Sequence, residues 1–401
     1  MVVIVSYNLY SQHLNYGAAI HNFAFQTYLK RKGVSSVVLD YYPLNLLGCH
    51  FKFPVLYAFS RPFSKRRMLK NLIQWGPDIF QNLIKFNKFN RFFQTYYFKS
   101  KVKIRPGEEK KLRCVDGKVP SAWCVVADVI WKLENVFDPV FFLDFPLAEK
   151  GRKVAYAPSM GSHPLHELKN GTEALALIKK FDAVSSRESE GAEYLSERLG
   201  REVKWLIDPS LLLDGKDYET LLHLPAKVKE SDKYLLIYNC MVNDVEMCKE
   251  AENYAKRFGL KVIEISIWGI NGRPLLQEIL RRFGMFERQK VYHKVITEAG
   301  IEEWLTLIKN AEVVFTNSFH GSCFSMLFKR KFLCFQRDET DYKMKNLMRE
   351  FGLLKWFIPW NNKKVGDIDD IDYDAVYAKL AVFRKKAEDF INENLVVNSV
   401  N

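Results

Sequence analysis

The chain has 401 residues, more than one ordinary hydrophobic core organises, so two domains are expected. Its 48% hydrophobic content suits a globular protein, and the absence of any apolar run of ~20 residues excludes a spanning helix. The formal charge of +13 is unevenly placed: residues 51–105 hold thirteen Lys and Arg against one acid, Asp78.

The first expected element is a strand over residues 2–7, apolar and β-branched. It lacks the basic flank and cleavage site of a secretory leader, so a cytoplasmic location is expected. A polar loop with His13, Asn15 and Gly17 follows. Then comes a helix from about Ala18 to Arg31, with Ile20, Phe23, Ala24 and Tyr28 on one face and Gly33 past its end. Residues 37–41 read as the second strand. This is the βαβ opening of a doubly wound α/β domain, with Asn15 and Gly17 at its ligand-binding edge. Gly17 also suits a bare turn.

Residues from about 44 to 120 interrupt the sheet and read as a helical insert, basic and aromatic. Its aromatics include Phe51, Phe53, Phe63, Trp75, Phe89, Phe92, Phe93 and Tyr97. Basic residues interleaved with aromatics suit an anionic membrane surface. They equally suit a helix whose aromatics pack inward while basic stems reach solvent. Nucleic acid is not the expected partner.

The sheet resumes at residues 123–127, with Asp128 just past the strand. A carboxylate there can take a proton from a hydroxyl, or cap a helix. Residues 154–158 end another strand, with Ser159 and Gly161 in a loop whose N–H groups can hold phosphate. A strand at 181–185 delivers Arg187, followed by a helix to Leu199. The Arg187 fork matches a planar carboxylate, or pairs with Glu188 or Glu190. The first domain is placed at 1–214, and a polar stretch at 215–232 reads as the linker.

A second α/β domain is placed at 215–370. Strands are expected at 234–238 and 261–265, helices at 243–258 and 302–310, and a loop around Trp268 and Gly269. Residues 313–335 carry the most information: an apolar strand to Thr316, a tight loop with Asn317, Ser318 and His320, a helix after Gly321, and a strand at 332–335. Such a loop lies at the carboxyl edge of a parallel sheet, where a helix start favours anions. A His there can move a proton near neutral pH, although a His near a helix start can also be a packed residue or a cap. Residues 371–401 are set apart as a terminal helix that, by analogy, packs back on the first domain.

The seven cysteines (Cys49, Cys114, Cys124, Cys240, Cys248, Cys323, Cys334) lack CxxC or metal-ligand spacing and read as reduced, mostly buried thiols. Cys323 near His320 leaves a Cys–His nucleophile open beside the buried-thiol reading. No GxGxxG, P-loop or metal-ligand cluster appears, so neither a metal nor a cofactor is expected.

Residues 316–321 (Thr-Asn-Ser-Phe-His-Gly) with Ser325 resemble the C-terminal signature of the polysaccharide pyruvyl transferase family. Six further segments resemble the same family in the same order: residues 15–18, 40–43, 127–131, 156–161, 185–188 and 208–214. The resemblance implies two Rossmann-like domains arranged as in GT-B glycosyltransferases, with the site in the cleft. It also implies transfer of a pyruvyl group from phosphoenolpyruvate to a sugar as a cyclic ketal. His320 is then the acid, Asp128 the hydroxyl base and Arg187 the donor-anion partner. Asn15, Tyr16, Gly17, Trp131, Ser159, Gly161, Asn317, Ser318, Gly321, Ser322 and Lys343 are then substrate-binding, with the Gly321–Ser322 helix start taking phosphate.

The sequence departs from the family pattern twice. Val126 and Ala127 stand where Gly-Ser precedes the Asp, and Lys343 stands for an Arg, which loses bidentate geometry. A polyprenyl-diphosphate-linked acceptor at the inner membrane face would fit the basic insert. Other readings are a glycosyltransferase using a nucleotide sugar, and a non-catalytic saccharide- or membrane-binding protein.

Overall fold

The computed structural model describes residues 1–6, 14–44, 79–133, 137–161, 165–226, 228–240, 244–266, 293–339 and 342–396. Two all-parallel sheets organise it. The first comprises β1 (Val2–Val5), β2 (Ser36–Tyr41), β3 (Lys99–Ile104), β4 (Ala122–Val126), β5 (Arg152–Tyr156), β6 (Ala183–Ser186) and β7 (Lys204–Trp205), in the order β3-β2-β1-β4-β5-β6-β7. The second comprises β8 (Tyr234–Asn239), β9 (Lys261–Ser266), β10 (Lys294–Ile296), β11 (Val313–Thr316), β12 (Lys331–Phe335) and β13 (Phe357–Ile358), in the order β10-β9-β8-β11-β12-β13. Each half is doubly wound, as expected. The order reverses between β1 and β4 in one half and between β8 and β11 in the other, and such switch points are where open α/β sheets bind ligands.

The strands alternate as period-2 packing requires. Val2 and Ile4 face a core shared with Leu236 and Tyr238 of the other half, while Val3 and Val5 face a separate outer core with Trp123 and Val125. Leu235 and Ile237 face the outer core of the second half. One continuous hydrophobic interior therefore joins the two sheets. Each large apolar side chain withdrawn into it contributes about 1.5–3 kcal/mol.

Helix α1 (Tyr16–Arg31) starts two residues earlier than its pattern indicates, because Asn15 Oδ1 accepts from the N–H groups of Gly17 and Ala18. Gly33, at φ 74°, closes its far end. The insert is not wholly helical. Helix α2 (Ile79–Tyr96) is followed by β3, which pairs with β2 as an edge strand. Lys101 and Lys103 point outward from β3, and Ser100 and Ile104 inward. Lysines protect such an edge, and they also obscure the strand in sequence. Phe89, Phe92, Phe93 and Tyr97 are buried, so this part of the insert follows the inward-packing reading. Phe51, Phe53, Phe63, Trp75, His13 and the Trp268–Gly269 loop lie outside the described residues.

Among the described residues the remaining α-helices are α3 (Gly171–Ile178), α4 (Ser189–Leu199), α5 (Val245–Phe258), α6 (Ile301–Asn310), α7 (Phe319–Leu327), α8 (Tyr342–Glu350) and α9 (Tyr373–Asn394). Helix α9 lies against the first half. Phe390 packs on Tyr156, Glu388 pairs with Lys32, and Arg384 donates to the carbonyls of Leu211 (2.7 Å) and Leu213 (2.5 Å). Among the described residues no helix is long and apolar enough to cross a membrane.

Candidate active site

The two switch points face each other, and α7 carries the second half's contribution. Ser318 is its N-cap, extended at φ −114°, with Oγ accepting from the Gly321 N–H at 3.3 Å. This fixes His320 as the second helical residue, 6% exposed. Its ring lies against the backbone of α1: a Cβ on Gly17 would stand 2.0 Å from His320 Nδ1. Gly17 is glycine because an imidazole occupies the space of its side chain. Gly321 is equally constrained, since its Cβ would meet Thr316 Oγ1 at 2.3 Å.

From the first half, three strand ends deliver a charged cluster. Asp208 follows β7, and its Oδ2 is 3.5 Å from His320 Nε2. That distance is an ion pair at the limit of a hydrogen bond, and among the described residues Nε2 has no well-formed hydrogen bond. Asp208 Oδ1 accepts from both the N–H (2.9 Å) and Oγ (2.8 Å) of Ser210. Arg187, after β6, stands at the centre. Its Nη1 is 3.3 Å from Asp208 Oδ2 and 3.8 Å from Asp128 Oδ1, its Nε is 3.1 Å from Glu188 Oε1, and its plane lies 4.5 Å from the centroid of Phe319. Arg187, Glu188, Asp208, Phe319 and Lys343 line one crevice.

Asp128 reaches the cluster by strained backbone. Ala127 and Asp128 follow β4 at φ 44° and 53°, and Ala157 follows β5 at 48°. Such conformations cost about 1–3 kcal/mol each and need support. Here the Ser159 N–H donates to the Asp128 carbonyl (2.8 Å), the Trp131 N–H to the Ser159 carbonyl (3.2 Å) and the Ala127 N–H to the Tyr156 carbonyl (3.0 Å).

The charges depend on one another. Burial pushes the Asp208 carboxyl up, but His320 and Arg187 outweigh it and hold it well below the usual range. Asp128 is likewise lowered: Arg187, His320 and Lys343 overcome its burial. Burial opposes the Arg187 charge, yet Glu188, Asp208 and Asp128 raise its pKa further. His21 is fully buried on the Gly17 face of α1, with Nε2 3.2 Å from Ser6 Oγ. Burial drives it down to about 4 despite Asp208 and Asp128. It is a neutral imidazole beneath the cluster.

A sequence model described as polysaccharide pyruvyl transferase matches residues 15–339. The chain belongs to that family. No curated protein sequence matches it. Similar solved structures include an E. coli trehalose-6-phosphate protein bound with UDP-2-fluoro glucose, at 10% identity and TM-score 0.47, covering 99% of this chain and 95% of that one. Another is S. aureus MnaA with UDP, at 10% and 0.45, covering 98% and 91%. A third is Methanocaldococcus jannaschii UDP-GlcNAc 2-epimerase, at 11% and 0.42, covering 96% and 92%.

Within this family member, His320 and Arg187 meet at Asp208, Arg187 also reaches Asp128, Gly17 lies against the His320 ring, and Arg187, Asp208 and Lys343 line the crevice. The other sequence-selected residues are placed differently. Tyr16 and Trp131 are fully buried. Tyr16 OH donates to the Ala299 carbonyl (2.9 Å) with its ring stacked on Trp304, and Trp131 Nε1 donates to the Phe141 carbonyl (3.0 Å). They are packing residues. Asn15 caps α1. Asn317 Oδ1 accepts from the Cys240 N–H (2.6 Å) and its Nδ2 donates to Asn239 (3.0 Å), tying β11 to β8. Asn239 contacts Glu264 (3.4 Å), which holds His293 (2.8 Å).

The N–H groups assigned to phosphate are engaged internally. Gly161 donates to Ser159 Oγ (3.2 Å), Gly321 to Ser318 Oγ, and Ser322 to the Ser318 carbonyl (3.0 Å). The helix-start donors without an intrahelical acceptor are instead those of Phe319 and His320. Arg187 is turned toward carboxylates, which includes the Glu188 pairing read as its alternative. Burial pushes the Cys323 thiol far up, removing it as a nucleophile.

Asp208 was legible as part of the 208–214 family segment, but nothing local gave it a role. His21 had only its spacing of four from Gly17.

Proposed function

We propose that this protein transfers the pyruvyl group of phosphoenolpyruvate to two hydroxyls of one sugar, closing a ketal and releasing phosphate. Family membership supports the reaction class. The observation that carries the residue roles is the meeting of His320, from the second half, with Asp208 and Asp128 from the first.

His320 protonates the methylene carbon of the enol. Asp208, 3.5 Å behind it, orients the ring and balances the imidazolium. The carbon bearing the phosphate becomes electrophilic and accepts one sugar hydroxyl, whose proton passes to Asp128. The C–O bond to phosphate then breaks, with Asp128 passing its proton to the departing phosphate, and a second hydroxyl attacks the resulting oxocarbenium carbon to close the ring, its proton restoring His320. Arg187 keeps Asp128 and Asp208 ionised and in place. Lys343 and the N–H groups of Phe319 and His320 face the departing phosphate. The scheme uses no metal or cofactor beyond the donor.

We place the acceptor on a polyprenyl diphosphate, in surface polysaccharide biosynthesis such as that of a capsule or exopolysaccharide. Its site would be the inner face of the cell membrane. The excess of basic residues over 51–105 supports docking there, and flotation with anionic liposomes tests it. Salt-insensitive absence of binding removes that part alone.

The direct test is incubation with phosphoenolpyruvate and a panel of lipid-linked or aryl glycosides, following mass gain and phosphate release. His320→Ala should lower turnover by about 100-fold or more with the fold retained. Activity within about tenfold of wild type would end the assignment, since acid–base catalysis contributes more than that. Thermal stabilisation by UDP or GDP instead of phosphoenolpyruvate would favour a glycosyltransferase.

A further inference from the structure

Among the described residues that line the crevice, Arg187 and Lys343 carry the positive charge. Arg187 is already turned to Asp128, Glu188 and Asp208. A donor carrying both phosphate and carboxylate therefore depends on where Lys343 stands. We infer that Glu190 of α4 is a positioning residue for the donor: it ties α8 across the crevice and so sets the place of Lys343. This rests on the pyruvyl-transfer reading.

The crevice takes its lining from both halves. Arg187, Glu188 and Ser189 lead into α4, whereas Lys343, Asn346, Leu347 and Glu350 belong to α8, at a spacing that makes one helical face. Glu190 joins the two helices. Its Oε2 accepts from Asn346 Nδ2, and its Oε1 accepts from Arg349 Nη2 at 3.2 Å, which also donates to Ser189 Oγ at 3.4 Å. Both oxygens of one carboxylate are thus engaged by two residues about a turn apart on α8. Arg349 donates as well to Glu350 Oε1 (3.2 Å), so a carboxylate that lines the crevice is kept paired.

Met344 and Met348 sit in the shared interior and hold α8 onto the molecule. Apolar burial is non-directional, whereas hydrogen bonds weaken steeply when misaligned. The packing therefore fixes the depth of the helix, and the Glu190 tie fixes how it lies along and around its axis. Lys343 is three residues before Asn346, so a small slide or rotation of α8 displaces its ammonium. The Glu190 and Arg349 side chains are 53% and 46% exposed, and pairs so exposed contribute little to stability. What the tie supplies is placement.

Calorimetric titration of phosphoenolpyruvate into the full chain tests this. Glu190→Ala should bind about tenfold more weakly, within the range for coupled neighbours, with a urea midpoint close to wild type. The sign is diagnostic, because removing a negative charge beside an anion site would by charge alone tighten binding. Glu190→Gln carries the same charge as Glu190→Ala but keeps one oxygen able to accept, and should bind with an affinity between that variant and wild type. Lys343→Met should weaken binding about 10- to 100-fold, the range for losing a charged hydrogen bond. Adding Glu190→Ala to it should cost less than about twofold more, since both act through one contact. Wild-type or tighter affinity in Glu190→Ala would overturn the inference, as would an equal loss with and without Lys343→Met. Should Lys343→Met bind too weakly to measure, Glu190→Gln decides: an affinity above that of Glu190→Ala supports the tie, and an equal one refutes it. No binding of phosphoenolpyruvate by wild type would instead overturn the pyruvyl-transfer reading, and this inference with it.

Discussion

The two sheets bring their site residues to the same cleft by different means. In the first half, β4 and β5 run into left-handed non-glycine residues, Ala127, Asp128 and Ala157, and the carboxylate they aim is held by Arg187. In the second half, β11 passes through an ordinary extended cap at Ser318 into α7, braced by Asn317. One wall stores backbone strain and depends on charge balance, while the other is relaxed and depends on capping. The difference separates two jobs. Carboxylates must be kept ionised where burial opposes it, whereas a His needs only a stable position against Gly17.

The sharpest way to break this contrast is Arg187→Met. It leaves Asp128, Glu188 and Asp208 with no guanidinium between them. A loss of about 3–5 kcal/mol is expected by urea unfolding, the usual result of orphaning buried charge. A loss under about 1 kcal/mol would mean the charge balance is not what holds this wall.

Next in size is the response to pH, opposite in sign in the two halves. His21 falls from its ordinary 6.5 to about 4 in the folded state, so below 6.5 the unfolded chain binds the proton more readily. Stability then declines as pH drops from 6.5 toward 4, by about 3 kcal/mol in total, and His21→Leu should remove that decline. In the second half, burial lowers the His293 pKa but Glu264 and Glu252 outweigh it and raise it. Its contribution is full below its ordinary value and is lost as pH rises through the raised one. Hydrogen exchange resolved by region should show both trends, and parallel trends would contradict them.

Gly17→Ala tests the junction between the walls. The new methyl would stand 2.0 Å from His320 Nδ1, so the buried ring or α1 must shift, and a destabilisation of about 1–3 kcal/mol from overpacking is expected. Turnover is expected to fall about 100-fold. Normal turnover would show that the imidazole has room to move. The smallest effect is expected from Ala127→Gly, which relieves the left-handed residue and should stabilise by about 1 kcal/mol while loosening Asp128. A destabilised Ala127→Gly would show that no strain is stored there.

Much of the scaffold was readable beforehand. Alternating strand and helix patterns gave both doubly wound halves, and the loop at 316–321 pointed to the edge where ligands bind. Strand β3 was hidden because its three lysines, Lys99, Lys101 and Lys103, resemble a solvated basic run. Tyr16 and Trp131 were misplaced because neighbouring motif residues need not face the same way: Gly17 meets His320, while Tyr16 turns into the seam against Trp304. Asp208, the hinge of the charge network, had no local mark beyond its family segment.

By itself the sequence determined which residues stand at strand ends and helix starts, because periodicity and capping are properties of neighbours along the chain. Only the tertiary structure decided which of those ends face one another. Asp208 meets His320, and His21 lies near both carboxylates, because two sheets share one buried interior. Those pairings follow from packing across more than a hundred residues of intervening chain, on which local pattern carries no information.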